Sequence, residues 1–239
     1  MKLPPPLHGW EMSPRDAIGL QRELAGRVVR CGSVDGVRLV AGLDCAFSKR
    51  SNACYAAVVV WDIERGAVVE TKTAITEIGF PYIPGLLSFR EVPALAAALA
   101  QLESTPDLLM CDGHGVAHPR RFGLASHLGV FAGVRSVGCA KSRLIGEAGD
   151  PGPHAGSRTG LYDGEELIGT VLRTREGVRP IFVSVGTGVT LENAVDVVLA
   201  CCRRYRLPEP TRLADQLVGS FKGQCESGSG PTQHDGDQQ

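Results

Sequence analysis

The sequence predicts a mixed α/β fold in which a three-stranded antiparallel meander opens a sheet flanked by helices. Three observations carry this. Three strand-like runs follow one another between residues 37 and 75, separated only by short polar turns. Beyond them the apolar spacing takes on a helical period and then alternates between helix and strand, the pattern of a sheet with helices on its faces. A chain of 239 residues that is 43% hydrophobic also has enough apolar material for a sizeable core. One domain is expected over residues 1–222, followed by a disordered polar tail at 223–239 that has no core-forming residues.

An extended proline-rich start leads into a helix from Pro14 to Val29. The meander strands are Val37–Phe47, Cys54–Trp61 and Ala67–Ile75, with Lys49-Arg50-Ser51-Asn52 and Glu64-Arg65-Gly66 as turns. Phe89, Val92, Ala96 and Leu99, with Leu95 and Leu102, fit a helix period. Leu108–Cys111 reads as a buried strand ended by Asp112-Gly113-His114-Gly115. A helix around Phe122–Val130 and a strand at Ser136–Ala140 come next. A glycine-rich loop from Gly146 to Gly160 then leads to a hairpin of Glu165–Thr174 against Pro180–Val185. Thr190 stands where an N-cap belongs, before a helix Leu191–Tyr205 whose Leu191, Ala194, Val195, Val198 and Cys202 share one stripe. Thr211–Val218 is the last ordered piece expected.

Composition excludes several classes of function. Lys and Arg number 25 against 26 Asp and Glu, so any grip on nucleic acid must come from local patches rather than a basic coat. No apolar run reaches the ~18 residues of a membrane helix, and Met-Lys-Leu-Pro-Pro-Pro is no secretory signal. A cytoplasmic location is therefore expected. None of the eight cysteines forms a Cys-x-x-Cys pair, and all but Cys31 and Cys225 lie in apolar runs. They read as reduced core residues, not as a zinc site or disulfide framework.

Two carboxylates stand out. Asp44 interrupts the apolar strand Leu39–Phe47, where a charge is costly unless it is paired or bound to a cation; the plainer alternative puts it on a solvated face. Asp112 ends a buried strand, where α/β proteins gather ligand groups; the alternative is an ordinary turn. Together they suggest a hard divalent ion, Mg²⁺ or Mn²⁺, holding a substrate phosphate. Glu91 is a third carboxylate at a helix N-terminus. Ser88-Phe89-Arg90-Glu91 matches a capping box, and Pro93 is expected only in a first turn, so Glu91 reads as either ligand or cap. His114, His118, Arg120 and Arg121 follow Asp112, and Lys141 follows the next strand, where an ammonium could stabilise a pentacovalent phosphate. Gly186-Thr187-Gly188 lacks both the full phosphate-loop fingerprint and its lysine. Finally, two prolines stiffen Phe80–Glu91 around Tyr82 and Ile83, which form either a wedge that unstacks bases or a buried plug.

The segments Val40–Asp44, Pro81–Glu91, Asp112–Gly123, Ala140-Lys141-Ser142 and Pro208–Asp215 occur in the order found in the endonuclease V family, which the chain resembles from about residue 10 to 220. The resemblance implies an RNase H-like fold and a monomeric enzyme that recognises deoxyinosine in DNA. It further implies hydrolysis of the second phosphodiester bond 3′ to the lesion with Mg²⁺, for which Mn²⁺ would substitute. Asp44 and Asp112 would hold the metal and Glu91 would complete the acidic set. Tyr82, Ile83 and Pro84 would form the DNA wedge. His118 and Lys141 would assist near the scissile phosphate, and Asp215 would be an outer metal or water contact. Backbone groups of Gly85, Leu87 and Gly113 would line the pocket for the flipped base. An inosine-specific endoribonuclease is the alternative within this fold. A non-catalytic binder of damaged nucleic acid would need the acidic trio broken, and all three acids are present.

Overall fold

The computed structural model of the chain describes residues 1–228. The expected meander forms: β1 (Leu39–Phe47), β2 (Ala53–Asp62) and β3 (Ala67–Glu77) pair antiparallel in chain order. The chain then crosses over through α2 (Ser88–Ala100), so that β4 (Leu108–Cys111) lies parallel to β1. A second crossover through α3 (Leu124–Ala132) sets β5 (Ser136–Ala140) parallel to β4. Antiparallel strands β6 (Arg158–Asp163), β7 (Glu166–Leu172) and β8 (Ile181–Thr187) complete an eight-stranded sheet of order β3-β2-β1-β4-β5-β8-β7-β6.

Alternation along the central strands builds two cores. Ala41, Leu43, Leu109 and Cys111 face α2 and α3 on one side of the sheet. Val40, Leu108 and Met110 join Val183, Val195 and Val198 on the other. Each of the Val, Leu and Met side chains among them, fully removed from water, contributes about 1.5–3 kcal/mol. β2 is buried along nearly its whole length because α2 covers one of its faces and α5 (Glu209–Glu226) the other.

The helices depart from expectation at their ends. α1 (Pro14–Ala25) begins where Ser13 accepts a hydrogen bond from the Asp16 amide, and it stops at Gly26, short of Val29. α4 (Leu191–Ala200) is capped by Thr190, whose hydroxyl accepts from the Asn193 amide, but it ends before Tyr205. The capping box does not form. Leu87 is the N-cap of α2 and gives it no side-chain bond, while the Ser88 hydroxyl meets His127 Nδ1 at 2.9 Å. Pro93 lies inside α2 rather than in its first turn, and its missing N–H leaves the Phe89 carbonyl without the usual helical partner. α5 exceeds Thr211–Val218 at both ends and continues past residue 223, where the tail was expected to begin. The rest of that tail, from residue 229, lies outside the described residues.

β6 occupies the end of the segment expected to be a loop. Only Leu161 of β6 is buried, so its apolar signal is a single residue. Its two-residue turn into β7 is nonetheless marked by Asp163-Gly164 in the sequence: Asp163 pairs with Glu166, and Gly164, the first turn residue, sits at φ +62° in the left-handed region that two-residue hairpins require.

Candidate active site

The parallel pairing of β1 with β4 puts Leu43 opposite Cys111, so the two strands deliver Asp44 and Asp112 side by side. The Asp112 amide donates to the Leu43 carbonyl at 3.2 Å, which fixes the end of β4 against the middle of β1. α5 supplies the third acid. Gly42, two residues before Asp44 on the same face of β1, lets Pro210 at the start of α5 pack directly on the strand. Asp215 then reaches the pair from the second turn of that helix. One carboxylate oxygen from each of Asp44, Asp112 and Asp215 lies within 4.8 Å of the others.

Burial and the neighbouring Asp112 charge push the Asp44 carboxyl up to about 7, and a contact with Asp215 that favours the protonated form adds to this. Asp215, expected as an outer contact, therefore stands inside the cluster. Glu91 stands outside it but near. It is buried on α2, its Oε2 has no hydrogen-bond partner, and burial together with the charges around it raises its carboxyl well above the ordinary range. Lys141, just past β5, bridges the acids. Its ammonium is 2.6 Å from Asp112 and 3.3 Å from Asp215. Partial burial pulls the Lys141 pKa down, but the bond to Asp112 and the surrounding carboxylates outweigh this and raise it, so the charge is held.

Three crowded oxygen donors, with an orphaned buried carboxylate oxygen beside them and no imidazole or thiolate in the group, fit a hard divalent cation. The sign of the proton linkage gives a test. The folded protein holds the Asp44 proton up to about pH 7, whereas an unfolded aspartate releases it near ~3.9, so Asp44 costs increasing stability as pH rises across that window. In chelator, Asp44→Asn is expected to gain melting temperature relative to wild type from pH 5 to pH 8. Taking the difference cancels the opposite trend from His118 and His127, which burial pushes down to about 4 and about 3. A difference that stays flat with pH would show that the three acids do not repel one another.

A cleft of about 220 Å³ opens beside the acids. Tyr82, Ile83, Pro84, Gly85 and Leu87 form one wall, Gly113 and Leu124 another, and Glu91 and Asp112 lie among the lining. Tyr82 is 68% exposed, so it is no core plug, and Pro84 is exposed beside it; Ile83 is partly buried against Phe80 and Phe89. The Arg90 guanidinium lies 4.6 Å from the centre of the Phe47 ring and 5.8 Å from that of Tyr82, a stack that sequence reasoning missed.

His118 lines the cleft but offers no free ring nitrogen. Its Nδ1 accepts from the Arg120 amide at 3.2 Å, which leaves Nε2 protonated to donate to the Gly85 carbonyl at 3.0 Å. Burial, reinforced by Arg120, keeps the ring neutral. The geometry thus gives His118 a grip on the wall of the cleft rather than an open acid–base position.

The protein-family profile for Endonuclease V matches residues 22–216. An endonuclease V from Dehalococcoides mccartyi is 52% identical over 208 residues, which cover 87% of this chain and 93% of the relative. The crystal structure of endonuclease V from Streptomyces avermitilis matches with a TM-score of 0.87 at 44% identity, over 91% of this chain and 96% of that one. Endonuclease V from Ciona intestinalis, in complex with a 24mer DNA containing an inosine followed by a ribo-adenosine, matches with a TM-score of 0.77 at 26% identity. That match covers 88% of this chain and 98% of the other.

Proposed function

The chain belongs to the endonuclease V family, with its RNase H-like sheet, and from that premise we propose that it recognises deoxyinosine in DNA and hydrolyses the second phosphodiester bond on the 3′ side. The observation that carries this reading is the convergence of Asp44, Asp112 and Asp215 beside a cleft that Asp112 lines together with an exposed Tyr82. Asp44, Asp112 and Asp215, with Glu91 behind them, would hold Mg²⁺, and Mn²⁺ has the same preference for oxygen donors. When bound, such an ion neutralises phosphate charge and makes a water molecule a better nucleophile.

The remaining work falls to the chain itself. Asp44 and Asp112 are fixed by strand pairing, so they face the phosphate with little rearrangement. Lys141 keeps its charge beside Asp112 and can stabilise the extra negative charge of a pentacovalent phosphate. Gly85, Leu87 and Gly113 line the cleft, and their backbone groups would meet a flipped base there. Hypoxanthine carries an oxygen at C6 where adenine carries an amino group, so a backbone N–H donor placed there accepts the first and rejects the second.

Tyr82 would fill the gap that the flipped base leaves. At 68% exposure its removal creates no cavity, so Tyr82→Ala is expected to change stability by no more than about 0.5 kcal/mol. Its affinity for inosine duplex in Ca²⁺ should fall by about 1–3 kcal/mol, the usual worth of one base–aromatic stack. Thermal unfolding and binding titration check the two halves; unchanged affinity would remove Tyr82 from recognition.

The Ciona intestinalis complex contains a ribo-adenosine after its inosine, and this favours one second reading, cleavage of inosine-containing RNA. A single assay decides. Purified protein and Mg²⁺ are given matched DNA and RNA oligonucleotides, each with one inosine or with adenosine in its place, and the products are sized. Inosine DNA cut one nucleotide beyond the lesion's 3′ neighbour bond supports the proposal. Faster cutting of the RNA supports the second reading, and equal cutting of adenosine controls overturns both.

A further inference from the structure

The turn that carries the cleft wall is held from an unexpected side. Ile83-Pro84-Gly85-Leu86 closes with a 2.9 Å bond from the Leu86 amide to the Ile83 carbonyl, and Gly85 sits at φ +78°. Proline followed by a glycine of positive φ is the signature of a type II turn. Glycine also gives that turn freedom to rearrange, because nothing in its side chain opposes rotation of the next peptide plane. In this protein the Gly85 carbonyl is fastened by three donors: His118 Nε2 at 3.0 Å, Arg120 Nη2 at 2.7 Å and Gln21 Nε2 at 3.0 Å.

Gln21 is the centre of that arrangement. It is fully buried on α1, in the stripe it shares with Ala17 and Leu24. Its amide nitrogen also donates to the Phe122 carbonyl at 3.1 Å, and its amide oxygen accepts from Arg120 Nε. One side chain therefore ties together α1, the turn at Gly85 and the segment after β4. It falls one residue before the stretch that the family profile covers.

We propose that Gln21, acting with Arg120, is a positioning residue for base selection: it fixes the plane of the Gly85 peptide, and with it the direction in which the cleft's backbone groups meet the base. The proposal rests on the deoxyinosine reading above. Without the clamp the turn still closes through the Leu86 amide, but the Gly85 carbonyl loses the donors that anchor it to α1 and to the segment after β4, so the turn as a whole can tilt relative to the cleft. Discrimination between hypoxanthine and adenine then weakens, while the acids on β1, β4 and α5 are untouched.

The test is the ratio of kcat/KM on inosine DNA to kcat/KM on the matched adenosine DNA, measured for wild type, Gln21→Met and Gln21→Glu. Methionine keeps the shape and loses all three hydrogen bonds. Glutamate keeps the acceptor for Arg120 and loses the donor to Gly85. Partial unfolding lowers both rates equally and leaves the ratio alone, so a purely structural role does not move it. At least a tenfold fall in the ratio for Gln21→Met, with the Mg²⁺ concentration at half-maximal rate unchanged, is expected. Arg120→Met, at a partly exposed position, is expected to act in the same direction and stands in if the buried variants lose the fold. If wild type shows no preference for inosine, the functional reading has failed. If wild type discriminates and both Gln21→Met and Arg120→Met keep its ratio, the clamp alone has failed.

Discussion

Asp44→Asn is expected to lower cleavage of inosine DNA by at least about 10³-fold, some 4 kcal/mol of transition-state stabilisation, while leaving binding of the same DNA measurable. The carboxylate lies in the cluster with Asp112 and Asp215, and the amide that replaces it carries no charge to hold a cation. The fold should not suffer. Asp44 is a strained neighbour in the metal-free protein, pushed up to about 7 by burial and by Asp112, and removing it relieves that repulsion. Loss of activity with equal or higher melting temperature at pH 8 in chelator is a combination that a generally destabilising substitution cannot give. Asp112→Asn should match it in activity, and it also strips Lys141 of its 2.6 Å partner. Near-normal turnover by either variant at saturating Mg²⁺ would remove the pair from the chemistry.

The second large effect is expected at a residue with no side chain at all. A methyl group at Gly42 would lie 2.1 Å from the Pro210 carbonyl carbon and 2.2 Å from its oxygen, and backbone cannot rotate out of the way. Gly42→Ala therefore has two outlets. Either α5 lifts and carries Asp215 with it, or β1 bends and carries Asp44. Overpacking of this kind costs about 1–3 kcal/mol, and the backbone contact puts Gly42→Ala at the upper end. Both outlets spread the acids, so about a tenfold rise in the Mg²⁺ concentration for half-maximal rate is expected as well. A melting curve and a metal titration check it together. A stable variant with an unchanged metal requirement would show that α5 does not depend on this contact to place Asp215.

Much of the site could be read from the sequence because it stands at the ends of regular elements. Asp44 is conspicuous as a charge inside an apolar strand and Asp112 as a charge just past the end of one, and the helical spacing after residue 88 placed Glu91 near a helix start. Asp215 had no such local mark. It is an exposed residue on a polar helix face, and only the resemblance of Pro208–Asp215 singled it out; its place in the cluster depends on how α5 docks on Gly42, a contact between residues distant in sequence. The capping box failed for a similar reason, since Ser88 has a better partner in His127, 39 residues away. Gln21 left one faint trace, a polar residue in the buried stripe with Ala17 and Leu24. β6 left another, the Asp163-Gly164 pair, which outweighs the single buried apolar residue of its strand. Boundaries were read least well: α4 stops at Ala200 although Cys201 and Cys202 beyond it still pack in the core, and α5 runs on past Val218 to Glu226.

The order in which the three acids occur along the chain has a consequence for the life of the polypeptide before it is finished. Asp44 and Asp112 lie in its first half, on strands that pair directly, whereas Asp215 rides on the final helix. During synthesis the first two emerge from the ribosome before the third, because chains fold from the N-terminal side as they are made. A chain stopped before α5 therefore lacks one of the three clustered acids, and on the proposed reading of the site it would lack part of the set that holds the metal.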